Sequence, residues 1–312
     1  RPGALAPPSG ARAPGKLGWA MISSEMGVML SQAVVSGLLI GAVYAFLALG
    51  LTLIFGVMHV INIAHGEMLM LGAYTSFWMF TLFGMNPLLA VVVSAPAMFV
   101  LGTLIEKFTI ERIVEDIETN SLLLTFGISI CIMNLAIWLW TTDYKAIPFF
   151  TGSWIAGPLV FPKSRMVGAA LAVGFTLVTY LFLKFSRLGK AIRATADSRD
   201  LSSTCGIYVK RIYLITYGLA SAMGATAGAL VSIMFAVYPE MGESFLMRSF
   251  TVIVLGGMGH PIGAILGGIL LGLAEGIGSL YLSGEGGGAI TFVILLLVLL
   301  FRPAGLMGKR TE

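Results

Sequence analysis

Long apolar runs broken by short polar connections make up nearly the whole chain, and most of the runs have the length of membrane-spanning helices. The first covers residues 28–56, interrupted only by small or weakly polar side chains, and it ends at a polar stretch holding His59, Asn62, His65 and Glu67. The second covers 68–83, Asn86-Pro87 marks a turn, and the third covers 88–105. The charged segment 106–120 must then lie outside the hydrocarbon. Further runs follow at 121–140, 166–185 and 212–237, with a short piece at 250–259, a Gly-rich run at 261–282 and a last run at 290–301. The connection 141–165, with Trp140 just before it, carries Tyr144, Phe149, Phe150 and Trp154, residue types that suit an interfacial belt.

Charge orients this series. The segment 184–211 contains Arg187, Lys190, Arg193, Arg199, Lys210 and Arg211, and the last run is followed by Arg302, Lys309 and Arg310. Both clusters are therefore expected in the cytoplasm. Between them the chain must cross an even number of times, and four crossings fit only if the piece at 250–259 counts as one. Ten helical residues cover about 15 Å, half the hydrocarbon core, so this piece is expected to be a half-helix or a broken span. Such breaks persist only where protein or a water-filled cavity covers the backbone. Counting backwards gives an extracytoplasmic N-terminus. The expectation is an all-α integral membrane domain over 26–312, with about eight full transmembrane helices plus one half or broken helix. Residues 1–25, rich in Pro, Gly and Ala, read as a flexible leader, with Met21 or Met26 as a natural start.

Composition narrows the function. Hydrophobic residues make up 57% of the chain and charged residues 11%, with a mean hydropathy of +0.94; a soluble domain carries about 25% charge. No room is left for a soluble catalytic domain. The net charge of +4 would suit nucleic acid, but the basic residues sit between apolar runs, where membrane orientation accounts for them, and no nucleic-acid partner is expected. Cys131 and Cys205 read as packing residues rather than a disulfide.

The polar stretch allows two readings. An ionisable residue at mid-bilayer costs about 2.5 to 3.5 kcal/mol on insertion scales. A polar turn at the cytoplasmic face escapes most of that, with Asn62 and His65 satisfying backbone groups at two helix ends and Glu67 near a helix N-terminus. Alternatively, the stretch is a broken helix that gates a solute route. Glu275 is an intramembrane acid surrounded by apolar residues and glycine, which marks a functional or interhelical contact. His-Gly-Glu is not a zinc motif, and no nucleophile-base pair or metal set is apparent. Gly263, Gly267, Gly268, Gly272 and Gly276 recur at the spacing of close helix contacts in lipid, with lining of the solute route as the alternative role.

Three ordered motifs carry a resemblance. NIAHGEMLMLGAY (62–74) resembles the signature of the membrane permease subunits of branched-chain amino-acid ABC importers, in the Ala-His-Gly-Glu form of the shorter of the two permease types that pair there. RATADSRDLSSTCGI resembles the family's cytoplasmic loop, VLGGMGHPIGAILGGILLGLAEG its Gly-rich segment, and FRPAGLMG its ending. The resemblance implies a type II ABC-importer-like permease in the bacterial inner membrane. Its implied partners are a second permease subunit of related fold, two cytoplasmic ATPase subunits, an extracytoplasmic solute-binding protein and membrane lipid. ATP and Mg would be bound by the ATPases, not by this chain, which has no G-x-x-x-x-G-K-[ST] loop. The family's coupling helix maps onto 193–207, with Arg193, Ala194, Asp197, Gly206 and Ile207 at matching positions. Ser202, Ser203 and Thr204 depart from the small or aliphatic residues usual before Gly-Ile, which implies a more polar dock. Read from its charge alone, the same loop is a membrane anchor.

A stand-alone secondary transporter with His65, Glu67 or Glu275 as a proton relay is the competing class, disfavoured by the lack of an evident basic partner inside the membrane. Branched-chain amino acids, urea, amides and aromatic acids all remain open as solutes.

Overall fold

The computed structural model describes residues 16–113, 117–282, 286–302 and 304–307. Eleven α-helices and one β-hairpin are present among them: α1 (Lys16–Met58), α2 (His65–Phe83), α3 (Val91–Phe108), α4 (Ile117–Trp140), β1 (Ser153–Ala156), β2 (Leu159–Pro162), α5 (Lys163–Phe185), α6 (Arg187–Asp197), α7 (Arg199–Thr204), α8 (Val209–Val231), α9 (Met241–Gly256), α10 (Pro261–Gly278) and α11 (Gly286–Phe301). Six of the described helices are long and apolar enough to cross a membrane by themselves; α2, with 19 residues, and α9 and α11, with 16 each, are not among the six.

α1 and α8 form the middle of the bundle, mostly buried, while α3 and α4 present most of their surface outward. α1 lies along α10, and α8 packs between α2 and α3. These contacts are close because small residues face each other. A Cβ on Gly272 would strike the Gly37 carbonyl and the Gly41 backbone, and one on Gly276 would strike the Ala33 carbonyl and Gly37. Gly268 presses on Ala45, Gly263 on Gly256, and Gly267 on Val252 and Gly256. Lipid tails are as apolar as leucine, so van der Waals contact between backbones, not water exclusion, holds such helices together.

The sides of the bundle follow from its connections. Lys210 pairs with Glu111 at 2.9 Å, and the ends of α1, α3 and α5 gather beside the basic α6 and α7. That end is cytoplasmic. At the opposite end Lys145 and Val237 exchange backbone hydrogen bonds of 2.9 and 2.7 Å, and the hairpin docks on α1 through Gln32, whose amide bonds Val160 N and O at 2.9 and 2.7 Å.

Several expectations change. α1 begins at Lys16, so the helix extends ten residues into the stretch read as a flexible leader; residues 1–15, Lys309 and Arg310 lie outside the described residues. The piece at 250–259 belongs to a longer helix, α9, which starts nine residues earlier and ends at Gly256. Its 16 residues rise about 24 Å, still short of the hydrocarbon core. The run at 212–237 stops being helical at Val231, leaving a non-helical connection before α9. Trp140 stacks on Tyr74 at 4.2 Å and Phe149 meets Phe80 edge-on, so part of the expected interfacial belt packs against α2 instead. Both cysteines are free and exposed, not packing residues.

Candidate functional site

Asn62, His65 and Glu67 are buried inside the bundle, whereas His59 is exposed at the end of α1. α1 ends at Met58, His59 takes a positive φ of 55°, and the chain then runs back into the bundle to start α2 at His65. There His65 Nε2 lies 3.3 Å from the carbonyl of Leu47, eleven residues back from the end of α1, and the ring fills a notch between Gly50 and Gly224. Gly224 is 15 residues into α8, about 22 Å from its cytoplasmic start. Residues 59–62 are non-helical and 63–64 form a turn, so irregular backbone carries the chain from the end of α1 to the start of α2.

An irregular backbone in this setting needs outside partners, and α4 supplies them. Ile61 N donates to Ser121 Oγ at 3.3 Å and Ile63 N to Thr125 Oγ1 at 3.1 Å. One turn further on, Ser129 Oγ donates to Glu67 Oε1 at 2.9 Å. The hydroxyls at 121, 125 and 129 thus form one stripe along α4, each a helical turn apart. Asn62, expected to hold the backbone, does not: neither of its side-chain polar atoms bonds protein, and it is buried. Glu67 stands in the first turn of α2, as expected, but its side-chain hydrogen bond crosses to α4 rather than capping the helix. Asn62, His65 Nδ1 and Glu67 Oε2 together place unpaired buried polar atoms within one short segment, where nearly all such groups are normally paired.

A second broken span meets the first. Gly66 touches the carbonyl of Gly242, so the N-termini of α2 and α9 abut. Both helices open on Gly-Glu, Gly66-Glu67 and Gly242-Glu243, and each follows a non-helical stretch. α2 runs outward from this point and α9 runs toward the cytoplasmic end. Discontinuous helices in paired positions are where membrane transporters place their solute contacts.

Glu275 has partners on three other helices. Its carboxylate accepts from Tyr44 Oη of α1 at 2.8 Å, from Arg248 Nε of α9 at 3.2 Å and from Thr291 Oγ1 of α11. Arg248 is the basic intramembrane partner that the sequence reading did not find. It also donates to the Ser244 carbonyl at 2.9 Å and lies against the Tyr44 and Phe245 rings.

At the cytoplasmic end, α6 and α7 form an elbow rather than a single helix. Ser186 and Ser198 cap them, with side-chain oxygens accepting from Gly189 N and Leu201 N. Arg193 bonds the Leu183 and Lys184 carbonyls, tying α6 to the end of α5. Ala194 is half-buried, Asp197 is exposed, and Ile207 N closes onto Ser202 O. Gly206 sits in open space at φ 82°. Leu201 and Tyr208 expose 68% and 63% of their surface here, on an otherwise charged prominence.

Residues 33–300 match the family described as the permease component of branched-chain amino acid transport systems. The chain belongs to this permease family. The high-affinity branched-chain amino acid transport system permease protein LivH of Salmonella typhimurium is 33% identical over 92% of this chain and 98% of its own length. The corresponding BraD of Pseudomonas aeruginosa is 33% identical over 89% and 95%. A probable branched-chain amino acid transport permease, LivH of Methanocaldococcus jannaschii, is 28% identical over 84% and 87%. As a member of the family, the chain is a multi-pass membrane subunit of an ABC importer and not an enzyme.

Reading this permease as a sequence missed three features of the site. The hydroxyl stripe of α4 was visible as a Ser-x-x-x-Thr-x-x-x-Ser spacing, and the second Gly-Glu was visible at 242–243. Arg248 lay in the connection just before the short piece, where its partner 27 residues away could not be seen.

The geometry separates the roles of His65 and Glu67. Glu67→Gln keeps an oxygen to accept from Ser129, and its other oxygen has no protein partner to lose, so the expected loss of stability is about 1 kcal/mol or less. His65→Ala empties the notch between Gly50 and Gly224 and is expected to cost about 2 to 4 kcal/mol, in the range of large-to-small core substitutions. Thermal unfolding in detergent checks both. Loss of uptake in a stable Glu67→Gln variant would instead make the carboxylate a direct participant in transport.

Proposed function

We propose that this chain forms, with a second permease of related fold, the membrane route for branched-chain or similar hydrophobic amino acids. Two cytoplasmic ATPase subunits hydrolyse ATP with Mg, neither of which this chain binds, and an extracytoplasmic binding protein delivers the solute. The observation that carries the coupling part is the α6–α7 elbow. It stands at the cytoplasmic end, exposes Leu201 and Tyr208, and is fastened to α5 by Arg193. A movement of a docked ATPase would therefore pull on the end of α5 and, through the contacts of α6 with α1 and α8, on the centre of the bundle.

The test is Gly206→Trp. Gly206 has nothing within contact distance, so the indole meets no clash within the chain, but φ 82° costs a non-glycine residue about 1 to 2 kcal/mol and the bulk projects from the elbow. The expected outcome is normal membrane insertion with uptake below about a tenth of the parent value, because a fitted dock does not tolerate an inserted ring. Solute should no longer stimulate ATP hydrolysis. Unchanged uptake and unchanged stimulation would remove the elbow as the coupling element.

The Arg248–Glu275 pair favours a second reading, proton-coupled transport without ATPases, because it supplies an intramembrane acid with a basic neighbour. Uptake by the purified chain alone under a pH gradient would establish that reading. Uptake that requires added ATPase subunits and ATP rejects it.

A further inference from the structure

A cavity of about 540 Å³ opens in the extracytoplasmic half of the bundle, between the connection after α8, the start of α9, Tyr44 of α1 and the start of α11. Its size lies within the range of small-molecule sites. The walls are largely apolar and aromatic, with Phe235, Phe245 and Phe292 among them. Phe235 and Phe245 stand edge to face at 5.8 Å, and Tyr44 meets Phe245 at 6.2 Å. Against these walls stand two opposite charges, Arg248 and Glu243.

Resting on the transport reading above, we propose that this cavity is a membrane-embedded binding site for a free, zwitterionic amino acid with an apolar side chain. Arg248 takes its carboxylate, Glu243 takes its ammonium group, and the Phe235–Phe245–Phe292 wall takes its side chain.

The chemistry of each part supports the assignment. A guanidinium has five N–H donors in a planar fork. Among the described residues Arg248 uses one on Glu275 and one on the Ser244 carbonyl, which leaves donors for a carboxylate. Glu275 and the rings of Tyr44 and Phe245 hold the fork in place, so little freedom is lost when a ligand binds. Glu243 is exposed on the cavity and has no hydrogen bond or ion pair among the described residues. Arg248 keeps donors beyond its bonds to Glu275 and Ser244, so the cavity presents a cationic fork and, separately, the carboxylate of Glu243. A zwitterion matches both charged groups, an acidic amino acid adds repulsion, and urea or an amide leaves both charges without a counterpart. The site therefore selects among the solutes that the sequence left open.

The experiment uses the complete importer in detergent, with Cys131→Ser and Cys205→Ser removing the two exposed thiols and Met247→Cys placing one thiol on the cavity wall. A water-soluble maleimide reports access to it. Leucine in excess over the binding protein is expected to slow labelling. Leucine methyl ester, 4-methylpentanoate and glutamate at the same concentration should do so far less. Glu243→Gln, an exposed and conservative change, should raise the leucine concentration for half-protection by about 10- to 100-fold, the range of one charged hydrogen bond. Arg248→Lys, which keeps the charge and loses the fork, should also raise it. Labelling that leucine does not slow, in a complex that imports leucine, overturns the site and leaves the transport reading standing. Equal protection by the ester or the carboxylic acid also overturns it. A parent complex that imports no amino acid overturns the transport reading, and the site with it.

Discussion

Glu275→Ala is expected to destabilise the folded chain by about 3 to 5 kcal/mol, the range for breaking a buried ion pair by removing one partner. The side chains of Arg248 and Glu275 are 23% and 12% exposed, so the guanidinium left behind regains hydration only on the side that faces the cavity. Tyr44 and Thr291 also lose their acceptor. Because these partners come from α1, α9 and α11, one substitution loosens three helices at once. Glu275→Gln should cost less, since it keeps the shape and one of the two oxygens that accept from Tyr44 and Thr291, while losing the charge and the other acceptor. The double change Arg248→Met with Glu275→Met should recover much of the lost stability, because a well-packed apolar pair avoids the desolvation that both ions suffer. Thermal unfolding of the purified protein in detergent measures all three. A Glu275→Ala protein as stable as the parent would show that Arg248 reaches solvent or another acid.

Gly272→Leu is expected to prevent α1 and α10 from closing, with a loss of about 3 kcal/mol or more, beyond the usual range for an overpacked core. The obstruction is backbone: a Cβ at 272 meets the Gly37 carbonyl and the Gly41 Cα and N, none of which can rotate away as a side chain would. In lipid, no hydrophobic term compensates for separated helices. Folded protein recovered from membranes should fall steeply. Gly174→Leu on α5, where nothing lies within contact distance, serves as the comparison and should change little. Equal loss at both positions would mean that glycine is needed for helix insertion in general and that the α1–α10 seam is not special.

Much of the fold was legible because it depends on properties that each residue carries alone. Run length and hydropathy place α3, α4 and α5 within a few residues of their observed bounds, while the run at 212–237 finds the start of α8 but overshoots its end. The glycines of 261–278 signal close contact, although nothing in the spacing says that Gly37, Gly41 and Ala45 of α1 are the surface they meet. α9 was misjudged because its first turns, with Gly242, Glu243, Ser244 and Arg248, look too polar for a span when read without their neighbours.

The polar stretch shows where that reading stops. His59, Asn62, His65 and Glu67 are costly in hydrocarbon, so a sequence argument puts them at the nearest face. The chain leaves His59 exposed but carries the other three into the bundle, where the hydroxyls of Ser121, Thr125 and Ser129 and the carbonyl of Leu47 replace part of what water would supply. By itself the sequence determined the solvent, the all-helical membrane fold and the family. The depth of the polar stretch, the meeting of the two Gly-Glu helix starts, the Arg248–Glu275 pair and the cavity beside it were decided only by tertiary structure. Transfer from water to lipid is a sum over single residues, whereas the cost of a buried charge depends on which distant side chain arrives beside it.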